Sequence, residues 1–143
     1  MNQAPFRAVV DASTGIKLFL DEPFSEQVHT LFAKLAEDPP AELYVPDLFF
    51  IECANILWKY VRRYGRTLED SQTDLSNLKK LALISISTTN LAEEALNLAD
   101  SNNISVYDAC YAALARQLNI SVITADRRLV QAIDWAVWLG DLQ

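Results

Sequence analysis

The 143-residue chain is short of the residues that build several common kinds of site. It has three glycines, none placed in GxGxxG or GxxxxGK[ST], so loops that cradle nucleotide phosphates are not expected. Its two cysteines, Cys53 and Cys110, form no CxxC pair, and His29 is the lone histidine. A structural zinc site is therefore not expected. Each cysteine sits in an apolar run and reads as a small buried hydrophobe. His29, in the amphipathic segment 25–37, has no polar constellation with which to activate a nucleophile. The apolar stretch 43–58 is interrupted by Pro46, Asp47 and Glu52, which would be costly in a bilayer, so no membrane association is expected. Residues 1–6 lack a basic region followed by an apolar run, so no secretory signal is expected and a cytoplasmic location follows.

What is present is apolar material and acid. Apolar residues make up 51% of the chain, enough for the core of one folded domain spanning 1–143. Nineteen acidic against twelve basic residues leave a net charge of −7, which opposes nucleic-acid binding through the overall field. Locally the balance reverses. Lys59, Arg62, Arg63 and Arg66 cluster with Tyr60 and Tyr64 between them, and Arg127 and Arg128 form a second basic pair. Taken alone, such a cluster is more often a solvated helix face than a ligand site.

Strand and helix patterns alternate along the chain. Buried strands are expected at 6–12, 42–45, 83–87, 120–124 and 136–139. Helices are expected at 13–20 and 25–37, the second stopped by Pro39 and Pro40. A long helix should run from an Asp47 cap to Tyr64, with Gly65 as its stop. Further helices should open on Thr67 with Asp70, on Asn90 with Glu93 and on Ser105 with Asp108, and a short one on Asp126. The fold class is thus α/β, a mostly parallel sheet of about five strands covered by helices on both faces.

In such a sheet, chemistry gathers at the carboxyl ends of the strands. Asp11 lies there after the first strand, Asp126 follows the fourth by two residues, and Asp108 lies in the first turn of its helix. Each of the three also has a local explanation as a helix cap. Glu52 does not: it is a helix-interior carboxylate in the run Leu48-Phe-Phe-Ile-Glu-Cys-Ala-Asn-Ile-Leu-Trp58, and such a group needs a partner. Glu52, Asn55, Lys59 and Arg62 share one stripe of that helix. Bringing two carboxylates within about 4 Å costs on the order of 4 kcal/mol at an effective dielectric of about 20, so either protons or a cation must neutralise them. All-oxygen ligands suit Mg²⁺, or Mn²⁺, and a phosphate ester as substrate.

Four segments then carry a resemblance: Val9-Val-Asp-Ala-Ser13, Glu52-Cys-Ala-Asn55, Tyr107-Asp-Ala-Cys-Tyr-Ala-Ala-Leu-Ala115 and Thr124-Ala-Asp-Arg-Arg-Leu129. In this order and at these separations the chain resembles PIN-domain nucleases, particularly the VapC-type toxins of bacterial toxin–antitoxin pairs. The resemblance implies a PIN-like three-layer sandwich with Asp11, Glu52, Asp108 and Asp126 as metal-binding catalytic acids, supported by Ser13, Asn55 and Thr124. It implies Mg²⁺-dependent endonucleolytic cleavage of RNA, a cognate antitoxin and a homodimer, the last compatible with the aromatic surplus at 58–64. Lys59, Arg62, Arg63 and Arg66 would track the RNA backbone or, equally, meet an acidic segment of the antitoxin.

Other readings compete. A haloacid-dehalogenase-type phosphotransferase needs a second aspartate two residues after Asp11, where Ser13 stands, and a receiver domain needs a phosphate-accepting aspartate where Ser87-Thr-Thr-Asn90 follows the third strand. The serious rival is a PIN-like module that binds RNA or protein and cleaves little.

Overall fold

The computed structural model describes residues 3–142. Five strands, β1 (Arg7–Val10), β2 (Glu42–Pro46), β3 (Ile84–Ile86), β4 (Val122–Thr124) and β5 (Ala136–Trp138), form one sheet in the order β3-β2-β1-β4-β5. Every pairing is parallel, with Val9 opposite Tyr44 on one side and Val122 on the other. Val9, Val10, Leu43, Val45 and Val122 are buried, as strands covered on both faces require.

Between the strands run α1 (Ala12–Gly15), α2 (Ser25–Ala33), α3 (Phe49–Arg63), α4 (Leu68–Lys79), α5 (Ala92–Asn102), α6 (Val106–Leu118) and α7 (Arg127–Ala132). The steps β1 to β2 and β2 to β3 go one way across the sheet, and β3 to β4 and β4 to β5 go the other. Right-handed crossovers therefore put α1–α4 on one face and α5–α7 on the opposite one, giving the three-layer α/β sandwich. Helix α6 packs against β1 and β2 and is buried without interruption from Ala109 to Ala115. The direction of travel reverses at β1, so the carboxyl ends of β1 and β4 form the switch point where a crevice opens. No described helix is long and apolar enough to cross a membrane.

Some local expectations need correction. Asp47 does not cap α3: its Oδ1 accepts from the Thr88 backbone N–H at 3.0 Å, tying the end of β2 to the turn after β3. The residue before α3 is Leu48, with no side-chain cap. Asn90 does not cap α5 either, because it lies in a 3-10 turn, Thr88–Asn90, that Ser87 caps. The helix expected at 13–20 is a single α turn that continues as a 3-10 turn, Ile16–Leu18, and the one expected at 25–37 likewise ends in a 3-10 turn, Lys34–Ala36. Gly65 does end α3, adopting φ +71 just beyond Tyr64. Cys53 and Cys110 are buried free thiols, and His29 is exposed on α2.

Candidate active site

Asp11 leaves the end of β1 in extended backbone and caps α1, its Oδ1 accepting from the Thr14 N–H at 3.0 Å. Ser13 donates to the same oxygen at 2.8 Å, and Thr124, the last residue of β4, donates to Oδ2 at 2.5 Å. Thr124 Oγ1 in turn accepts from the Asp126 N–H at 3.0 Å, and Ser13 Oγ accepts from the Ala125 N–H at 3.2 Å. These bonds stitch the ends of the two adjacent parallel strands together and fix the Asp11 carboxylate in one orientation. Ser13 and Thr124 thus both donate to the Asp11 carboxylate, one to each oxygen.

Glu52 comes in from α3, one turn after the fully buried Phe49, and Asp108 from the first turn of α6, whose Ser105 cap accepts from the Asp108 N–H. Asp126 caps α7, its Oδ1 accepting from the Arg128 N–H at 2.9 Å. One cleft of ≈ 390 Å³ is lined by Asp11, Glu52, Asp108 and Asp126 together with Ser13, Asn55, Lys59, Tyr111 and Arg128. Acids 115 positions apart in sequence thus face a common space.

The basic cluster divides. Lys59 reaches the cleft; Arg62 and Arg63 are exposed further along α3 and do not line it. Arg66 forms an ion pair with Asp74 of α4, so its guanidinium is committed within the molecule. Two polar lining residues were given no role in the site from sequence. Arg128 stands mostly exposed at the rim, 3.7 Å from Asp126 Oδ1. Tyr111, three residues after Asp108 on α6, donates its hydroxyl to Glu52 Oε1 at 2.5 Å. The spacing of three places Asp108 and Tyr111 on one helix face, which is the only sign of it in the sequence.

Burial raises the pKa of Asp11 above 3.8, against the opposing hydrogen bonds of Thr124, Ser13 and Thr14. Burial also raises Glu52, with the charges of Asp108 and Asp11 adding to it, and raises Asp108, with Asp126 adding and Arg128 opposing. Burial likewise keeps the Tyr111 phenol protonated and so a donor. A carboxylate whose pKa is higher folded than unfolded costs stability once pH passes its unfolded value, and the whole cost is present above the folded value. The metal-free protein should therefore be strained at pH 7. Asp108→Asn, which removes one repelling charge, is expected to raise the melting temperature in EDTA at pH 7, with the gain vanishing toward pH 4, as followed by circular dichroism.

The donor chemistry suits a hard cation. Four carboxylates and no imidazole or thiolate face the cleft; burial raises the proton affinity of Asp11, Glu52 and Asp108, and the charge of neighbouring acids adds to it at Glu52 and Asp108. Among the described residues, no three such groups close tightly enough on one point to ligate a single ion directly. An ion that keeps several of its waters reconciles the two observations, since it needs only one or two direct carboxylates.

The PIN domain model matches residues 8–134. Ribonuclease VapC3 of Pyrobaculum aerophilum is 36% identical over 130 residues, covering 87% of this chain and 93% of that protein. Among solved structures, PAE2754 from Pyrobaculum aerophilum aligns with a TM-score of 0.73 at 24% identity, over 96% of this chain and 86% of that one. A toxin–antitoxin complex from Klebsiella pneumoniae aligns with a TM-score of 0.65 at 20% identity, over 91% and 95%. The acid-bearing strand ends, the all-parallel sheet and a domain match running from β1 past α7 lead to one conclusion: the chain belongs to the PIN-domain family.

Proposed function

We propose that this protein is an endoribonuclease that cuts RNA phosphodiester bonds with water, using a divalent cation, Mg²⁺ or Mn²⁺, that Asp11, Glu52, Asp108 and Asp126 would hold directly or through its waters. The observation that carries this reading is the convergence of four carboxylates from separate elements on one cleft whose lining contains no histidine and no cysteine. The name of the relative VapC3, a ribonuclease, supports RNA as the substrate. A cation bound here would neutralise charge at the phosphate and lower the pKa of a water.

The residues do the rest. Asp11, pinned by Ser13, Thr14 and Thr124, is the most rigid acid. Asp126 is spent partly on capping α7, which suits contact through water at the rim. Lys59 on α3 and Arg128 on α7 flank the acids and offer cations to phosphates on either side of the cut, while Asn55 offers an amide beside them. Arg62 and Arg63 extend the positive surface away from the cleft. Lys59→Ala and Arg128→Ala are each expected to weaken RNA binding and to reduce the slope of log affinity against log salt by about 0.7, read from filter binding across a salt series. Arg66→Ala should leave that slope unchanged.

The same reading makes the protein the toxin of a toxin–antitoxin pair, acting in the cytoplasm where its substrate is, and a homodimer. It is supported by the likeness to a toxin–antitoxin complex and by the apolar groove of ≈ 150 Å³ between α3 and α4, lined by Leu57, Trp58, Val61, Leu68 and Leu75. Purified protein incubated with structured and single-stranded RNAs in Mg²⁺ or Mn²⁺ tests the activity. Internal cuts that EDTA abolishes are expected. Binding of RNA without cuts under every condition would turn the reading to a non-cleaving module.

A further inference from the structure

The Glu52 carboxylate sits on three rotatable side-chain bonds, yet a site for a cation needs its oxygens in fixed places. Among the described residues its hydrogen-bond donor is a single group, the Tyr111 hydroxyl at 2.5 Å from Oε1. Tyr111 is 1% exposed, and α6 around it is buried from Ala109 to Ala115, so the ring cannot swing away. The contact joins α6 to α3 across 59 residues of sequence, from opposite layers of the sandwich, at the wall of the acidic cleft. Among the described residues Oε2 has no donor.

We infer that Tyr111 is a positioning residue: its hydroxyl holds Oε1 of Glu52 so that Oε2 is presented to the cation. This rests on the reading of the cleft as a cation site. Partners that orient metal-binding carboxylates typically govern affinity by about 10–100-fold. Tyr111→Phe keeps the ring and its packing and deletes only the donor.

Mn²⁺ affinity of the full chain, measured by calorimetry without RNA, separates the possibilities for wild type, Tyr111→Phe, Glu52→Gln and the double variant. Tyr111→Phe is expected to weaken Mn²⁺ binding about 10–100-fold, with the metal-free melting temperature close to wild type. In RNA cleavage it should lower kcat and leave KM for RNA unchanged. The double variant should bind Mn²⁺ no more weakly than Glu52→Gln alone, because the hydroxyl acts only through that carboxylate. Wild-type affinity in Tyr111→Phe, with Glu52→Gln still weakened, would overturn the role of Tyr111 and leave the cleft as a cation site. Effects that multiply in the double variant would overturn it too, showing an action through packing. Loss of neither affinity nor activity in Glu52→Gln would overturn both readings together.

Discussion

Asp11→Asn is expected to lower RNA cleavage by about 10³-fold, equivalent to about 4 kcal/mol of transition-state stabilisation, while the protein stays folded. Asparagine keeps an oxygen that can accept from the Thr14 N–H, so the cap on α1 survives. The loss lies at Oδ2. Thr124 Oγ1 accepts from the Asp126 N–H and donates to Asp11 Oδ2, a one-way chain linking the β4 end to the acid. An amide nitrogen in place of Oδ2 would direct a second donor at Thr124 Oγ1 and leave that hydroxyl without an acceptor. The substitution therefore removes the charge and disturbs the bond that orients the switch point. Single-turnover cleavage measures the first effect; circular dichroism checks that folding is retained. A rate within tenfold of wild type would place the chemistry elsewhere.

A second large effect should appear far from any charge. Gly15 ends α1 against the helix that carries Glu52, and a Cβ built there would stand 2.6 Å from Cζ of Phe49. Phe49 is fully buried, so its ring has nowhere to retreat. Gly15→Ala is expected to cost about 1–3 kcal/mol by overpacking and to lower the melting temperature by about 3–10 °C. Because Phe49 precedes Glu52 by one turn, cleavage should fall with it. Gly65→Ala makes the contrast: nothing lies within 4 Å, and only the strain of φ +71 is added. A smaller loss, of about 1 kcal/mol and without effect on cleavage, is expected there.

These expectations show how far residues alone could lead. The sheet was legible because strands buried on both faces are near-continuous apolar runs, as in Ala8-Val-Val10 and Val122-Ile-Thr124. Glu52 was legible because nothing local explained a carboxylate amid Phe49, Cys53 and Leu57. Local grammar failed where a distant partner made a better offer. Asp47 follows a proline and precedes a helix, as a cap would, but the Thr88 N–H arrives from β3 to claim it. Arg66 continues a basic cluster, but α4 folds back and places Asp74 against it. Tyr111 was assigned no role from sequence, and only the packing of α6 against the sheet, opposite α3, gives its hydroxyl a partner in Glu52. Pairing between layers is set by tertiary contact, which no helical or strand period encodes.

The most direct test is the chemistry of the ends produced when purified protein cuts a defined RNA in ¹⁸O-labelled water with Mg²⁺, read by mass spectrometry. Attack by water with departure of the 3′ oxygen should leave 3′-hydroxyl ends and put the label on 5′-phosphates. Ends carrying unlabelled 2′,3′-cyclic phosphate would mean that the 2′-hydroxyl is the nucleophile, and would contradict water-driven cleavage at the acidic cleft.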